Sequence, residues 1–310
     1  MIRAPRPGDR VAVVAPAGPV EPDVLKAGTE ILRGWGLRVE VGPSASAGAP
    51  APLPHLAAPD AERARDLERA WCDPGVAAVI CARGGYGSQR ILDLLDWPAL
   101  AAARPKPLLG FSDITALHEA FAVRLAVPTW HGPMPGTTAF TDDAVAQERL
   151  RRALFAPHEP TVITAPTART LVPGRARGIT MGGCASLLAA GAGTPHTRPS
   201  AAGGILLLED VGEEPYRIDR VLTQLLRSGR LAGVAGIALG SWRDCGPYEE
   251  VRAVLLDRLA PLGVPMAEEL AFGHGPHPHT VPLGVPATLD ADRATLSCEG
   301  TPFSPGTGGS

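Results

Sequence analysis

Short apolar or alternating runs, each bounded by Gly or Pro, punctuate the first third of the chain at residues 11–15, 37–41, 76–81 and 106–110. They are too short for helices and rich in Val, Leu and Ile, so they read as strands. Between them the apolar period changes to that of a helix. Val24, Leu25, Gly28, Ile31, Leu32 and Trp35 share one face, and the charged segment 60–71 keeps the same spacing. Strand–helix alternation predicts an α/β fold, with a parallel sheet covered on both faces and binding sites at the carboxyl ends of its strands. From about residue 137 to 178 the periodicity fades into a Pro-, Thr- and Arg-rich stretch with one helix expected at 142–154. A second set of elements follows: helices near 184–190, at 217–226 and at 248–259, and strands at 205–208 and 234–239. The expected organisation is an N-terminal α/β domain (1–140), a linker (141–177), a C-terminal domain (178–300) and a disordered Pro/Gly/Ser/Thr-rich tail (301–310). There is no internal repeat.

Composition narrows the function classes. At 310 residues one core is near its useful limit, which favours two domains. Lys and Arg total 29 against 32 Asp and Glu, a net charge of -3, so neither a nucleic-acid partner nor a polybasic membrane anchor is expected. The apolar stretch 11–15 is shorter than a signal-peptide core of roughly 7–15 residues, and no run approaches the roughly 18 of a membrane span. Five scattered cysteines without a CxxC pair fit a reducing cytoplasm. The 36 glycines and 33 prolines stay below the roughly 25–30% that marks disorder, so the chain should fold with many turns.

Residues 107–117 form an apolar strand that turns directly into a helix, placing Ser112 and Asp113 on the turn. A serine there exposes its hydroxyl at the strand end, and the next backbone N–H can bind a developing oxyanion. The same serine can equally serve as a helix cap, which is the commoner use, and Ile114 stands where a G-x-S-x-G elbow has its second glycine. Arg83-Gly-Gly-Tyr-Gly follows the strand 76–81; it lacks the Gly-Lys-Ser/Thr of a P-loop and is either a structural turn or, beside Ser112, a source of a second oxyanion donor. A serine nucleophile needs a base, normally a histidine oriented by a carboxylate. Among eight histidines, His274, His277 and His279 stand out in one irregular loop, open to reading as a base, a metal cluster or a polar turn. Glu209, at the end of an apolar strand, is a solvated cap by default and otherwise a carboxylate held at a site.

Taken in order, Val13-Val-Ala-Pro-Ala-Gly18, Arg83-Gly-Gly-Tyr-Gly87, Gly110-Phe-Ser-Asp-Ile-Thr115, His131-Gly-Pro133, Leu208-Glu-Asp-Val-Gly212 with Tyr216-Arg-Ile-Asp219, and Gly273-His274 with Leu283-Gly284 span nearly the whole chain. As a set they resemble the LD-carboxypeptidase family of serine peptidases, which includes murein tetrapeptide carboxypeptidases and microcin C immunity peptidases. The resemblance implies a triad of Ser112 as nucleophile, Glu209 as orienting carboxylate and His274 as base. It implies an oxyanion hole from the backbone N–H groups of Asp113 and Gly85, the latter chosen over Gly84. It implies a flavodoxin-like or Rossmann-like N-terminal domain, a smaller β-rich C-terminal domain and a homodimer, with no metal or cofactor. The implied reaction is cleavage of an L-D amide bond that releases D-alanine from a murein tetrapeptide in cell-wall recycling. A peptidyl-nucleotide of the microcin C type is the alternative substrate. Arg83 is the basic residue nearest in sequence for the substrate's terminal carboxylate. One departure stands out: Gly182-Gly-Cys-Ala-Ser-Leu187 carries Cys184 where family members commonly have Asn. Two other classes remain: a metallohydrolase built on His274, His277 and His279, and a non-catalytic ligand-binding module.

Overall fold

The computed structural model describes residues 2–46, 51 and 53–300, so the expected tail at 301–310 lies outside the described residues. Among these residues, strands β1 (Arg10–Val14), β2 (Arg38–Val41), β3 (Val76–Cys81), β4 (Leu108–Gly110) and β5 (Thr129–His131) pair in parallel. Further along come β6 (Thr161–Ile163), β7 (Arg169–Val172), β8 (Arg175–Cys184), β9 (Gly204–Val211), β10 (Gly236–Arg243), β11 (Met266–Glu268), β12 (Val281–Leu283), β13 (Pro286–Asp290) and β14 (Thr295–Cys298). The first sheet runs β12-β5-β4-β3-β1-β2 and the second β6-β14-β13-β8-β9-β10-β11-β7.

The expected parallel sheet covered on both faces is present, and its cause is visible in β1. Val11 and Val13 pack with Ile80, Leu109 and Trp130 on one face, while Ala12 and Val14 pack with Val79 and Leu108 on the other. A strand buried on both sides has no polar alternation, hence the continuous apolar run. Leu25 and Leu32 of the helix Pro22–Gly34 cover the first face, and Leu67 and Trp71 of the helix Asp60–Cys72 cover the second.

In the second sheet, β8 to β11 form a parallel centre flanked by antiparallel strands. Most of β9 is buried, which is why its Gly-Ile-Leu-Leu-Leu run was visible as a strand. The stretch read as a linker holds the helix Ala144–Phe155, β6, β7 and the start of β8. Its strands have three or four residues and partly exposed side chains, so no apolar period announces them. Strand β12 departs from chain order: it leaves the second half of the sequence and pairs antiparallel with β5 at the edge of the first sheet. An edge tolerates its Pro282, which has no N–H to give a ladder.

Arg63 ties the loops at the carboxyl end of the first sheet together. Fully buried, it donates to the carbonyls of Pro16, Ala58 (3.0 Å) and Gly87 (2.9 Å) and pairs with Asp60. Gly87, at φ 126°, has no Cβ to collide with it. Replacing Arg63 by Met keeps the volume but strands three buried carbonyls. The expected cost is about 3 kcal/mol, read as a lowered midpoint of urea unfolding at unchanged slope.

Candidate active site

The order β2-β1-β3-β4-β5 reverses direction between β1 and β3, and at such a switch the loops leaving neighbouring strands part to form a crevice. The loops after β1 and β3 face each other there. Gly18 N–H donates to the Gly84 carbonyl at 3.1 Å, and Arg83 Nη1 donates to the Pro19 carbonyl at 3.0 Å. Gly84 also lies against the next loop. A Cβ on it would sit 2.9 Å from Ser112 Cβ, 3.1 Å from Ser112 Oγ and 3.2 Å from the Asp113 nitrogen. Gly85, at φ 101°, instead faces Arg83 and Gly18.

Ser112 occupies the left-handed region at φ 63°. For a residue with a Cβ this costs on the order of 1–3 kcal/mol, and it persists where the surroundings enforce it. Here buried Ser88 supplies the constraint: its N–H donates to Asp113 Oδ2 at 2.8 Å and its hydroxyl to the Asp113 carbonyl at 2.6 Å. Gly110 behind the turn leaves room for Ile114, which would otherwise meet a Cβ at 2.7 Å. The serine therefore sits on a sharp strand-to-helix turn, with the helix Thr115–Arg124 beginning just beyond it. It does not cap that helix, because no side-chain cap bond is made at either step of the turn.

Glu209 comes from the other sheet, with its side chain 0% exposed. His274 Nδ1–H donates to Glu209 Oε2 at 2.6 Å, and His274 N–H reaches the same oxygen at 3.3 Å. Gly273 makes this approach possible, because a Cβ there would overlap the carboxylate. Burial would raise the pKa of Glu209, but the imidazoles of His131 and His274 overcome it and hold the pKa at about 2. Burial would likewise lower His274; the hydrogen bond and charge of Glu209, with Asp210 behind it, raise it above the usual imidazole value. With Nδ1 committed to Glu209, Nε2 is the free acceptor.

The two halves meet through Phe111, whose ring centroid lies 4.7 Å from that of His274 and which immediately precedes Ser112. Among the described residues no hydrogen bond joins Ser112 Oγ to His274; unliganded sites of this type are often looser than the reacting one. The junction is pinned nearby by Cys184 N–H, which donates to Thr115 Oγ1 at 3.0 Å. Gly183 allows this, since a Cβ there would overlap Thr115.

The other histidines disperse. His277 pairs with Asp143 at 3.0 Å, and His279 is half-buried, its pKa lowered to about 4 by burial and by the charge of Arg149. The three histidines of the loop thus turn to separate partners, and among the described residues no three His, Cys, Asp or Glu side chains converge to hold a metal ion. His118 is buried, donates Nε2–H to the Gly110 carbonyl at 2.9 Å and is driven down to about 3, a packed core residue rather than a base. Two buried groups beside Glu209 escaped the sequence reading of side-chain roles. His131, at the end of β5, lies 3.8 Å from Glu209 Oε1, and Asp210 accepts from Ser186 N–H at 2.8 Å and from the Cys184 thiol at 3.3 Å.

Comparison with known proteins then bears on the chain as a whole. The LD-carboxypeptidase N-terminal domain matches residues 11–132 and the LD-carboxypeptidase C-terminal domain matches residues 177–289. The chain belongs to the LD-carboxypeptidase family. A putative carboxypeptidase of Streptomyces coelicolor is 60% identical over 94% of both chains. The murein tetrapeptide carboxypeptidase of Pseudomonas aeruginosa is 38% identical, covering 92% of this chain and 94% of its own. The crystal structure of an MccF-like protein from Bacillus anthracis superposes with a TM-score of 0.87 over 97% of this chain and 99% of that one; at 22% identity the likeness is one of fold. This LD-carboxypeptidase is accordingly a serine-type peptidase with the family's two-sheet architecture.

Gly84 offers a direct test of the packing at the serine. Gly84→Ala places a methyl against Ser112 Cβ and Oγ and should lower kcat by about 100-fold, the scale of a displacement near 1 Å. Its melting temperature should change little. The measurement is steady-state turnover beside a thermal melt.

Proposed function

We propose that this enzyme is a carboxypeptidase that cleaves the L-D amide bond of a murein tetrapeptide and releases its terminal D-alanine. The observation that carries this reading is a left-handed serine at a strand–helix turn, next in sequence to Phe111, whose ring lies against the His274 of a Glu209–His274 pair anchored in the other sheet. The name and 38% identity of the Pseudomonas aeruginosa relative support murein tetrapeptide as substrate over a peptidyl-nucleotide. The MccF-like neighbour shares fold at 22% identity.

In the proposed mechanism Ser112 Oγ attacks the carbonyl carbon on the L side of the scissile bond while His274 Nε2 takes the hydroxyl proton. Glu209 holds the imidazole tautomer and balances the imidazolium. The carbonyl oxygen becomes an oxyanion bound by the N–H groups of Asp113 and Gly85. Strand order supports Gly85. The Gly84 carbonyl points to Gly18 on the β1 side, and across a trans peptide the Gly85 N–H points the opposite way, toward β4 and Ser112. Collapse of the intermediate breaks the C–N bond, and His274 returns its proton to the departing amine of D-alanine. Water, deprotonated by His274, then hydrolyses the acyl-serine. Arg83 spends one N–H on Pro19, and its remaining donors, beside Gly85, suit the terminal carboxylate of the substrate. No metal or cofactor enters these steps. Soluble murein fragments in the cytoplasm and a homodimeric enzyme complete the proposal; among the described residues no helix is long and apolar enough to cross a membrane.

Incubation with a murein tetrapeptide followed by mass spectrometry should show loss of one alanine residue mass. Turnover of a peptidyl-nucleotide instead of the tetrapeptide would shift the assignment to the immunity class. Ser112→Ala should cut kcat by roughly 10⁴- to 10⁶-fold with the fold intact.

Acid should abolish activity through His274. The base works only when neutral, and its folded value lies above the ordinary imidazole value. So kcat/KM should fall tenfold per unit as pH drops below that raised value. Glu209→Gln removes the charge that raises it and should move the acid limb to lower pH while reducing the plateau; a pH–rate profile of both proteins reads the shift.

A further inference from the structure

Glu209 Oε2 takes both contacts from His274, while Oε1 is buried without a hydrogen-bond partner among the described residues. A carboxylate with one oxygen in use keeps acceptor sites on the other, and buried polar atoms are rarely left unpaired. The group facing Oε1 is His131 Nε2, 3.8 Å away and also unpartnered, as is His131 Nδ1. His131 is fully enclosed, its ring 5.8 Å from that of Phe111 and 6.2 Å from that of Phe272. A phenylalanine would fill such a place without stranding two nitrogens. An imidazole there has a polar use, and among the described residues the one carboxylate oxygen within 4 Å of it is the unused one of Glu209.

We propose that His131 is a positioning residue of the triad: in the reacting enzyme its Nε2–H donates to Glu209 Oε1, so the carboxylate is gripped from both sheets. His274 holds one oxygen from the loop that follows β11, and His131 holds the other from the end of β5. The inference rests on the triad reading above and extends it to a fourth side chain. Bringing Nε2 into hydrogen-bond range requires a closure of about 1 Å between two side chains on different sheets. The grip answers a specific need. When His274 becomes an imidazolium, a carboxylate tethered by one oxygen can swing with it, whereas one tethered by both keeps Nε2 aimed at Ser112. Other ionisable groups around this pair are His118 on the helix Thr115–Arg124, Asp210 on β9, Cys184 at the end of β8 and Arg243, which acts on His274.

His131→Phe and His131→Gln, each checked for an unchanged melt, provide the test. Phe removes the donor, and Gln restores an N–H at similar reach. His131→Phe should lower kcat by about 10- to 100-fold with little change in KM, and His131→Gln should recover most of it. The second readout needs no turnover: an NMR titration of the ¹⁵N-labelled imidazole of His274. Without the His131 donor Glu209 leans wholly on His274, so His274 should titrate at higher pH in His131→Phe and near the wild-type value in His131→Gln. Equal kcat and an equal His274 titration in wild type and His131→Phe would overturn the proposal. So would equal losses in the Phe and Gln variants, which would make His131 a matter of packing. If the wild-type chain does not process murein tetrapeptide, the substrate reading fails while the titration still decides the role of His131.

Discussion

A carboxylate buried at the junction of two sheets is the constraint on which this structure turns. An isolated charge in such a place is expensive, and it survives only when paired and hydrogen-bonded. Glu209 meets that condition through His274, and Gly273 makes the approach possible by having no side chain. The carboxylate sits in β9, at the parallel centre of the second sheet, with a strand hydrogen-bonded on either side. The serine it would serve stands on the other sheet. The site therefore exists only as long as the two sheets keep their register.

Several contacts maintain that register, and one helix concentrates them. Thr115–Arg124 starts immediately beyond the Ser112 turn, receives the Cys184 N–H on Thr115, and carries Glu119 further along. Glu119 is buried with Arg230 and also binds Arg198 at 2.7 Å, so an ion-pair network joins the first sheet's helix to segments flanking the second sheet. A buried network of this kind adds little net stability but tolerates few alternative arrangements, which suits a surface that has to align catalytic groups. Strand β12 strengthens the link from the other direction, since it lies at the edge of the first sheet while Thr180 of β8 donates to its Pro282 carbonyl at 2.8 Å.

What could be read from residues alone follows from where each signal resides. The strand at 76–81 and the apolar part of β9 declare themselves because both faces are buried and the residues are apolar throughout. β6 and β7 stay hidden because they are short and exposed on one side, as at Val162, so their polarity resembles that of a loop. Glu209 was conspicuous as an acid ending an apolar run, and His274 as a histidine in a glycine-rich loop; their contact, between residues 65 apart, needed the fold. His131 stood within a motif, His131-Gly-Pro133, but nothing local gave its side chain a role. It is one histidine in a three-residue strand, and its meaning comes from an oxygen on the opposite sheet.

Cys184 stands where the sequence resemblance implies an asparagine, and its surroundings accommodate the thiol. Its backbone N–H does structural work at Thr115, which any residue other than proline could do. Its thiol turns to Asp210, already bonded by Ser186 N–H and Val211 N–H. Burial raises the pKa of both groups, with Glu209 adding to the effect, so the thiol stays protonated and acts as a donor. A thiol is a weak donor, and it neutralises less of the Asp210 charge than an amide N–H would. The charge left on Asp210 acts on His274 in the same sense as Glu209. A thiol rather than an amide at this position would therefore bear on the basicity of His274 through Asp210, and the Glu209–His274 pair forms beside it.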